Sequence, residues 1–242
     1  MKAFIEKADG EFRNVNGYVA WQGLTDRGCE VEFFEAAQVD DLALTPRTPV
    51  VAGIPVVHRA LRRLGCEPPA LEPIPHEIQA YAGRGFGIST LGEARGKFAD
   101  ECGPLFIKPP AGQSKIFNGH VIAAFRDLIA TSHLPDEQMV WWSQAVEFRA
   151  EFRGFVHRGE LIGFRHYYGD FRLPVDFGKV EKALSDWTNK PIGCSMDWGV
   201  TKEGRTLLVE VNEGHSLGCY GLASHLYAPL LIDRWLEMTA AD

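Results

Sequence analysis

In the segment LLVEVNEG, Glu210 and Asn212 stand two residues apart within a run rich in leucine and valine. On a β-strand that spacing puts both side chains on one face. A carboxylate and an amide oxygen side by side suit a hard cation. Asp197, on what reads as the other arm of the same hairpin across the polar turn KEGR, offers a third oxygen. Such a set would hold Mg²⁺ (or Mn²⁺) through a few protein ligands, with phosphates completing the shell. A solvated edge strand with alternating polar residues would give the same pattern, so the motif alone does not decide.

Cations suited to phosphate lie elsewhere in the chain. Lys108 ends the apolar run LFIKP, where a buried strand and a proline turn would fix its ammonium as a point charge. Lys115, in the loop GQSKIFNG, is placed to reach the same anion or simply to face water. Glu147, Arg149, Glu151 and Arg153 recur with period two, apolar residues between them, so four charges share one strand face. The next predicted strand carries Arg165 and His166. Arg153 and Arg165 can therefore face one cleft from a hairpin, and their planar forks match carboxylate and phosphate oxygens.

Other chemistries find no support. GRGFGIST has neither the lysine of a phosphate-cradling loop nor GxGxxG spacing, and KIFNG lacks an aspartate two residues after its lysine. The eight histidines show no HExxH pair, and there is no nucleophile elbow.

These residues must be positioned by a mixture of elements. Ala3–Ile5, a helix from Gly17 to Arg27 and a strand from Cys29 to Phe34 predict a parallel strand pair in a small α/β lobe. A helix over Val56–Leu64 precedes EPPALEPIPHE, the best boundary, dividing the chain into 1–75 and 76–242. Thr90 and Glu93 form a capping box opening a helix to about Glu101. Leu105–Ile107 reads as a buried strand. Val121, Ala124, Phe125 and Leu128 have the spacing of an amphipathic helix over His120–Ala130. From Met139 the period becomes two, with strands at Met139–Val146, Arg149–His157 and Leu161–Tyr168, the last two joined at Arg158 and Gly159. A helix near Phe177–Trp187, strands at Ser195–Val200 and Thr206–Val211, and a helix over 222–238 complete a mixed α+β and α/β layout, divided at 138/139 into a first and a second lobe.

Composition fits this reading. Of 242 residues, 45% are hydrophobic and 24% charged, as in a folded globular chain. The net charge of −7 argues against a general nucleic-acid partner. Five cysteines without a CxxC pair point to a reducing compartment, and the longest apolar stretch, Pro49–Val57, is too short to span a bilayer. A cytoplasmic location is expected; nothing in the sequence sets the oligomeric state.

Taken in order, FIKP at 106–109, KIFNG, the strand ending in Val146 and Glu147, EFRGFV, GFRHY, DWGV and LVEVNEGHSLGCYGL resemble the ATP-grasp superfamily, closest to its small clade named for two arginines and a lysine. The resemblance covers roughly residues 85–225. It implies two α+β lobes sandwiching ATP after a small α/β lobe, with Lys108 on the phosphates. Gln144, Ala145, Val146 and Glu147 would form the adenine and ribose hinge, and Asp197, Glu210 and Asn212 would hold Mg²⁺. Arg153 and Arg165 would face the phosphates or an acyl-phosphate, and Lys97 on the capped helix is the candidate for a first nucleotide lysine. Many members carry a second acidic residue at or just before the position of Asn212, so one or two metal ions both remain open. The implied activity is an ATP-dependent ligase joining a small-molecule or peptide carboxylate to an amine. The alternatives are a phosphotransferase that stops after the first half-reaction and a nucleotide-binding regulatory or RNA-repair-associated module.

Overall fold

The computed structural model describes residues 1–99, 103–111 and 116–240. Three four-stranded sheets follow one another along the chain.

The first is built on β1 (Lys2–Ala8), which pairs in parallel with β3 (Glu30–Glu35) and β4 (Val50–Val51) and antiparallel with β2 (Glu11–Phe12). The predicted parallel pair is thus present. Between β1 and β3 runs α1 (Val15–Asp26), started by the Asn14 side chain, which accepts a hydrogen bond from the Asn16 amide. After β4 comes α2 (Ile54–Arg63), with Pro55 in its first turn, where a missing N–H costs nothing.

The second sheet contains β5 (Phe86–Thr90), β6 (Leu105–Lys108), β7 (His120–Ile122) and β8 (Met139–Gln144), in the order β5-β8-β6-β7 and antiparallel throughout. Thr90 and Glu93 exchange the two expected capping bonds, at 3.1 and 3.2 Å, and open α3 (Leu91–Ala99). The amphipathic helix expected over His120–Ala130 does not form. His120–Ile122 instead adds a strand beside β6, and Asp127 accepts from the Ala123 and Ala124 amides at 2.9 and 2.8 Å, starting a short 3-10 turn over Phe125–Thr131. Edge pairing supplies backbone partners and buries Ile122, whereas Val121 and Phe125 are 44% and 83% exposed, so of the apolar stripe that predicted a helix Leu128 packs on the core while these two do not.

The third sheet has the order β10-β9-β11-β12, with β9 (Phe148–His157), β10 (Glu160–Gly169), β11 (Gly193–Thr201) and β12 (Thr206–Glu213) all antiparallel. Arg158 and Gly159 both have positive φ, 53° and 81°, as a two-residue hairpin turn of the primed type requires. Over this sheet pack α4 (Phe177–Asp186) and the 3-10 turn His76–Tyr81. Trp187, Trp198, Met196 and Val211 there meet Ile74, Ile78 and Ala82 in one core.

The chain closes with α5 (Ser224–Met238), which returns to the first sheet. Tyr227, Ala228 and Leu231 join Ala3, Ile5, Ala20 and Leu24 in a shared core that also contains Phe155 and Leu217. Gly23 makes this crossing of α1 and α5 possible, since a Cβ there would run into the Ser224 carbonyl. The N-terminal segment is thereby locked to the third sheet. Among the described residues, no helix is long and apolar enough to cross a membrane.

Candidate active site

The second and third sheets face each other across a cleft, and the residues predicted for chemistry divide clearly between those that reach it and those that do not. Arg165, Arg153, Asp197 and Glu210 are successive register partners across β10, β9, β11 and β12, forming a row of four charged side chains over the third sheet. Arg153 grips Asp197 with two bonds, Nε to Oδ1 at 2.8 Å and Nη2 to Oδ2 at 2.6 Å. Both side chains are nearly inaccessible. Burial, reinforced by Glu210 and Glu151, pushes the Asp197 carboxyl up, while the two Arg153 donors pull it back. Burial acts against the guanidinium charge, yet Asp197 more than offsets it and holds Arg153 above its ordinary value.

Asn212 Nδ2 donates to Asp197 Oδ2 at 3.2 Å, which directs its amide oxygen away from that carboxylate. From the opposite sheet, Lys108 donates to Glu210 Oε2 at 2.6 Å, its ammonium 5.0 Å from the Trp141 ring centre. The structure therefore brings Lys108, Arg153, Asp197, Glu210 and Asn212 together. Arg165 lies at the margin, where Nε donates to the Gly221 carbonyl at 3.2 Å.

Two cavities open from this cluster. The smaller, about 290 Å³, is lined by Gln144, Ala145, Val146, Trp141, Arg84 and Glu210, among others. Gln144 closes one end by accepting from the Gly85 amide at 2.8 Å. Glu147 is not part of it: its side chain is 79% exposed beside Arg149, three residues past the end of β8. Lys97 also stays away, resting on the outer Trp142 ring at 5.0 Å. Lys115 falls outside the described residues. The larger cavity, about 760 Å³, takes in Lys108, Arg153 and Asn212 at one end and α2 and the loop after β12 at the other.

Four residues of the site escaped sequence reasoning. Arg84 spans the sheets, donating to the Leu208 and Val209 carbonyls at 2.7 Å each, and burial lowers its guanidinium to about 10. Its only sequence signal is a lone arginine between glycines. Tyr167 donates to Glu151 at 2.6 Å; burial, with Asp197 and Glu151 nearby, raises its hydroxyl. Tyr220 stacks on Arg153 at 4.6 Å and stands 5.1 Å from the Tyr167 ring. Tyr220 and Ser216 both hold left-handed backbone, φ 42° and 56°, at a cost of order 1 kcal/mol each. The strained loop thus lies directly beside the charged cluster. The loop is held by Ser216 donating to the Ala52 carbonyl at 2.7 Å and by the Cys219 amide donating to Asn16 at 2.9 Å.

Residues 81–230 match the ATP-grasp domain of R2K clade family 2. The chain belongs to that family. The ATP-grasp fold and superfamily expected from the sequence are therefore borne out. Among solved structures, D-alanine–D-alanine ligase from Bacillus anthracis superposes with a TM-score of 0.59 at 15% identity, covering 99% of this chain and 97% of that one. A RimK-domain ATP-grasp protein from Sphaerobacter thermophilus gives 0.55 at 16% identity, over 97% and 99% of the two chains. The ATP-grasp ligase PsnB, solved with a minimal precursor, gives 0.52 at 13%, over 98% and 99%. At these identities the likeness is one of fold. Comparison with curated proteins finds no sequence match.

Proposed function

We propose that the protein is a carboxylate–amine ligase that activates its acid as an acyl-phosphate and forms an amide or peptide bond. The observation carrying this reading is the Lys108–Glu210 contact, set between the two cavities with Arg153, Asp197 and Asn212 beside it. One cavity has the flat aromatic wall of Trp141 and the Gln144–Val146 backbone suited to adenine; the other is large enough for an acid and an amine. We assign Lys108 to the phosphates, Arg153 and Arg165 to the transferring phosphoryl group, and residues 1–75 to one wall of the substrate cavity.

The donor chemistry fits a hard cation. Glu210 uses Oε2 on Lys108 and Asn212 uses its nitrogen on Asp197, which leaves one carboxylate oxygen and one amide oxygen as ligands. Asp197, both of whose oxygens accept from Arg153, contributes chiefly by fixing that arginine. When bound, Mg²⁺ would neutralise charge on the phosphates. The protein's part is positioning and electrostatic stabilisation: Lys108 and Arg153 hold oxygens in line, and no protein nucleophile is required. The buried Cys194, whose thiol burial pushes up, has no role in this scheme.

PsnB was solved with a minimal precursor, and a peptide stands as one candidate substrate of this chain alongside small acids. Among the described residues Cys29, Cys66, Cys194 and Cys219 are free thiols, in keeping with a cytosolic setting. The decisive measurement is release of ADP and phosphate with a panel of acids, with and without amines. Turnover requiring both partners supports the ligase. ADP formed at full rate without an amine would favour a phosphotransferase, and binding without turnover a regulatory module.

A further inference from the structure

The larger cavity has an end that the phosphate-handling residues do not occupy. Ile54, His58 and Arg62, spaced four apart, turn one face of α2 toward it. Opposite, the strained loop after β12 supplies His215. His58 Nε2 and His215 Nε2 are 2.9 Å apart, a hydrogen-bond distance, so one nitrogen donates and the other accepts. His215 Nδ1 is buried without a hydrogen-bond partner among the described residues, and Glu213 Oε2 stands 3.7 Å from it. Glu213 is itself gripped by Arg234, at 2.9 Å from Nε and 2.7 Å from Nη2.

This arrangement selects the tautomers. A carboxylate beside His215 Nδ1 favours the hydrogen on that nitrogen and leaves His215 Nε2 as the acceptor. His58 must then donate from Nε2, and its Nδ1 carries a free lone pair. We propose that His58 is the catalytic base that takes a proton from the ammonium group of the amine substrate, with His215 as the positioning residue that fixes its tautomer.

The inference rests on the ligase reading above and adds the step that reading lacks, since an ammonium has no lone pair with which to attack. One proton passes from R–NH₃⁺ to His58 Nδ1. The freed lone pair forms the C–N bond at the acyl carbon as the C–O bond to phosphate breaks. The second amine proton leaves with the phosphate as hydrogen phosphate, and His58 returns its proton to water.

The surroundings favour a neutral base. Burial, then the charges of His215 and Arg62, hold His58 below the ordinary imidazole value against the opposing pull of Glu213. Lys108 and Arg153 line the same cavity and add positive charge, while Glu213 is compensated by Arg234. These cations also favour the uncharged amine over the ammonium.

Hydroxylamine is uncharged at neutral pH and needs no base, so it separates this role from acid activation. With ATP, Mg²⁺ and a pool of amino acids and dipeptides supplying acids and amines, His58→Gln should lower the ratio of amide to hydroxamate by at least about tenfold. Amide synthesis by the native protein should fall as the pH drops through the imidazole range, and the variant should lose that limb. Nitrogen spectra of the histidine rings, which need no substrate, should show His58 as the Nε2–H tautomer, with His215→Ala shifting its titration and His215→Asn partly restoring it. Equal loss of amide and hydroxamate in His58→Gln, or His58 in the Nδ1–H tautomer, would overturn the proposal while leaving the ligase intact. No hydroxamate from the native protein would overturn the ligase reading and this inference with it.

Discussion

Lys108 of β6 and Glu210 of β12 belong to different sheets, and their charged ends meet at 2.6 Å across the cleft. Both side chains remain partly exposed, at 22% and 29%, so the pair is worth about 1 kcal/mol of stability at most. Its position matters more than its strength, because it brings the lysine we assign to the phosphates and the carboxylate we assign to the metal to one point.

Lys108→Ala and Glu210→Ala should therefore leave the circular dichroism spectrum and melting temperature close to native while lowering turnover by about a hundredfold or more, the scale of lost preorganised charge. ATP should raise the melting temperature only with Mg²⁺ or Mn²⁺ present, and Glu210→Ala should lose that metal-dependent increment. An equal rise in excess chelator would refute the metal assignment.

Arg84 should behave in the opposite way. β12 bulges against β11 between Asp197 and Trp198, and Val209 is left out of the paired register. Arg84 caps the Leu208 and Val209 carbonyls at this irregularity. Arg84→Met should destabilise the fold by about 1.5–3 kcal/mol, as when charged donors are removed from buried acceptors. Nucleotide affinity should fall as well, since the same residue lines the smaller cavity. A denaturant midpoint equal to the native one would show that the carbonyls find other partners.

What the sequence made legible depended on whether the cause was local. The β9–β10 hairpin could be read because period-two patterning and the Arg158–Gly159 turn are both short-range signals, and Glu210 and Asn212 share a face by spacing alone. β7 was misread because Val121, Ala124, Phe125 and Leu128 satisfy helical spacing, while the deciding term, pairing with β6, comes from elsewhere in the chain. β5 hides among the glycines of GRGFGIST. Period two put Arg153 on one face with Glu147, Arg149 and Glu151 and toward the cleft, but could not show the buried carboxylate that β11 sets beside it. Arg84, Tyr220 and the His58–His215 contact rest on separations of many residues, and no local pattern announces them.

Asp233 provides a pH-dependent test of how α5 is fastened to the third sheet. Its Oδ2 accepts from His157 Nε2 and Arg158 Nε, both at 2.7 Å. Burial pushes its carboxyl up, but the Arg158 and His157 bonds win and hold it below the usual carboxylate range. A depressed acid stabilises the fold above its unfolded value of about 4, and the contribution disappears as pH falls through the folded value. Asp233→Asn should thus be less stable than the native protein by about 1 kcal/mol at neutral pH, with the difference closing in acid. Urea midpoints for both proteins across that range measure this, and a gap independent of pH would exclude the ionised contact as its source.

The two arginines carry the last prediction because the structure separates them. Arg153 is buried in a bidentate pair with Asp197 and stacked on Tyr220, so Arg153→Ala strands a buried carboxylate and should cost about 3–5 kcal/mol. Loss of turnover in that variant would say little about chemistry. Arg165 bonds only backbone carbonyls, of Gly221 and of Phe164, among the described residues, so Arg165→Lys should leave the melting temperature nearly unchanged. If Arg165 holds the transferring phosphoryl group, this replacement keeps the charge and most of the ATP affinity but gives up the planar fork, and the loss appears in kcat rather than in nucleotide binding. Arg153→Lys should show the same kinetic split on top of a lower melting temperature, because one ammonium cannot reproduce both bonds to Asp197. Native turnover in Arg165→Lys would leave that residue as a clamp on the glycine-rich loop and place the phosphoryl contact on Arg153 and Lys108 alone.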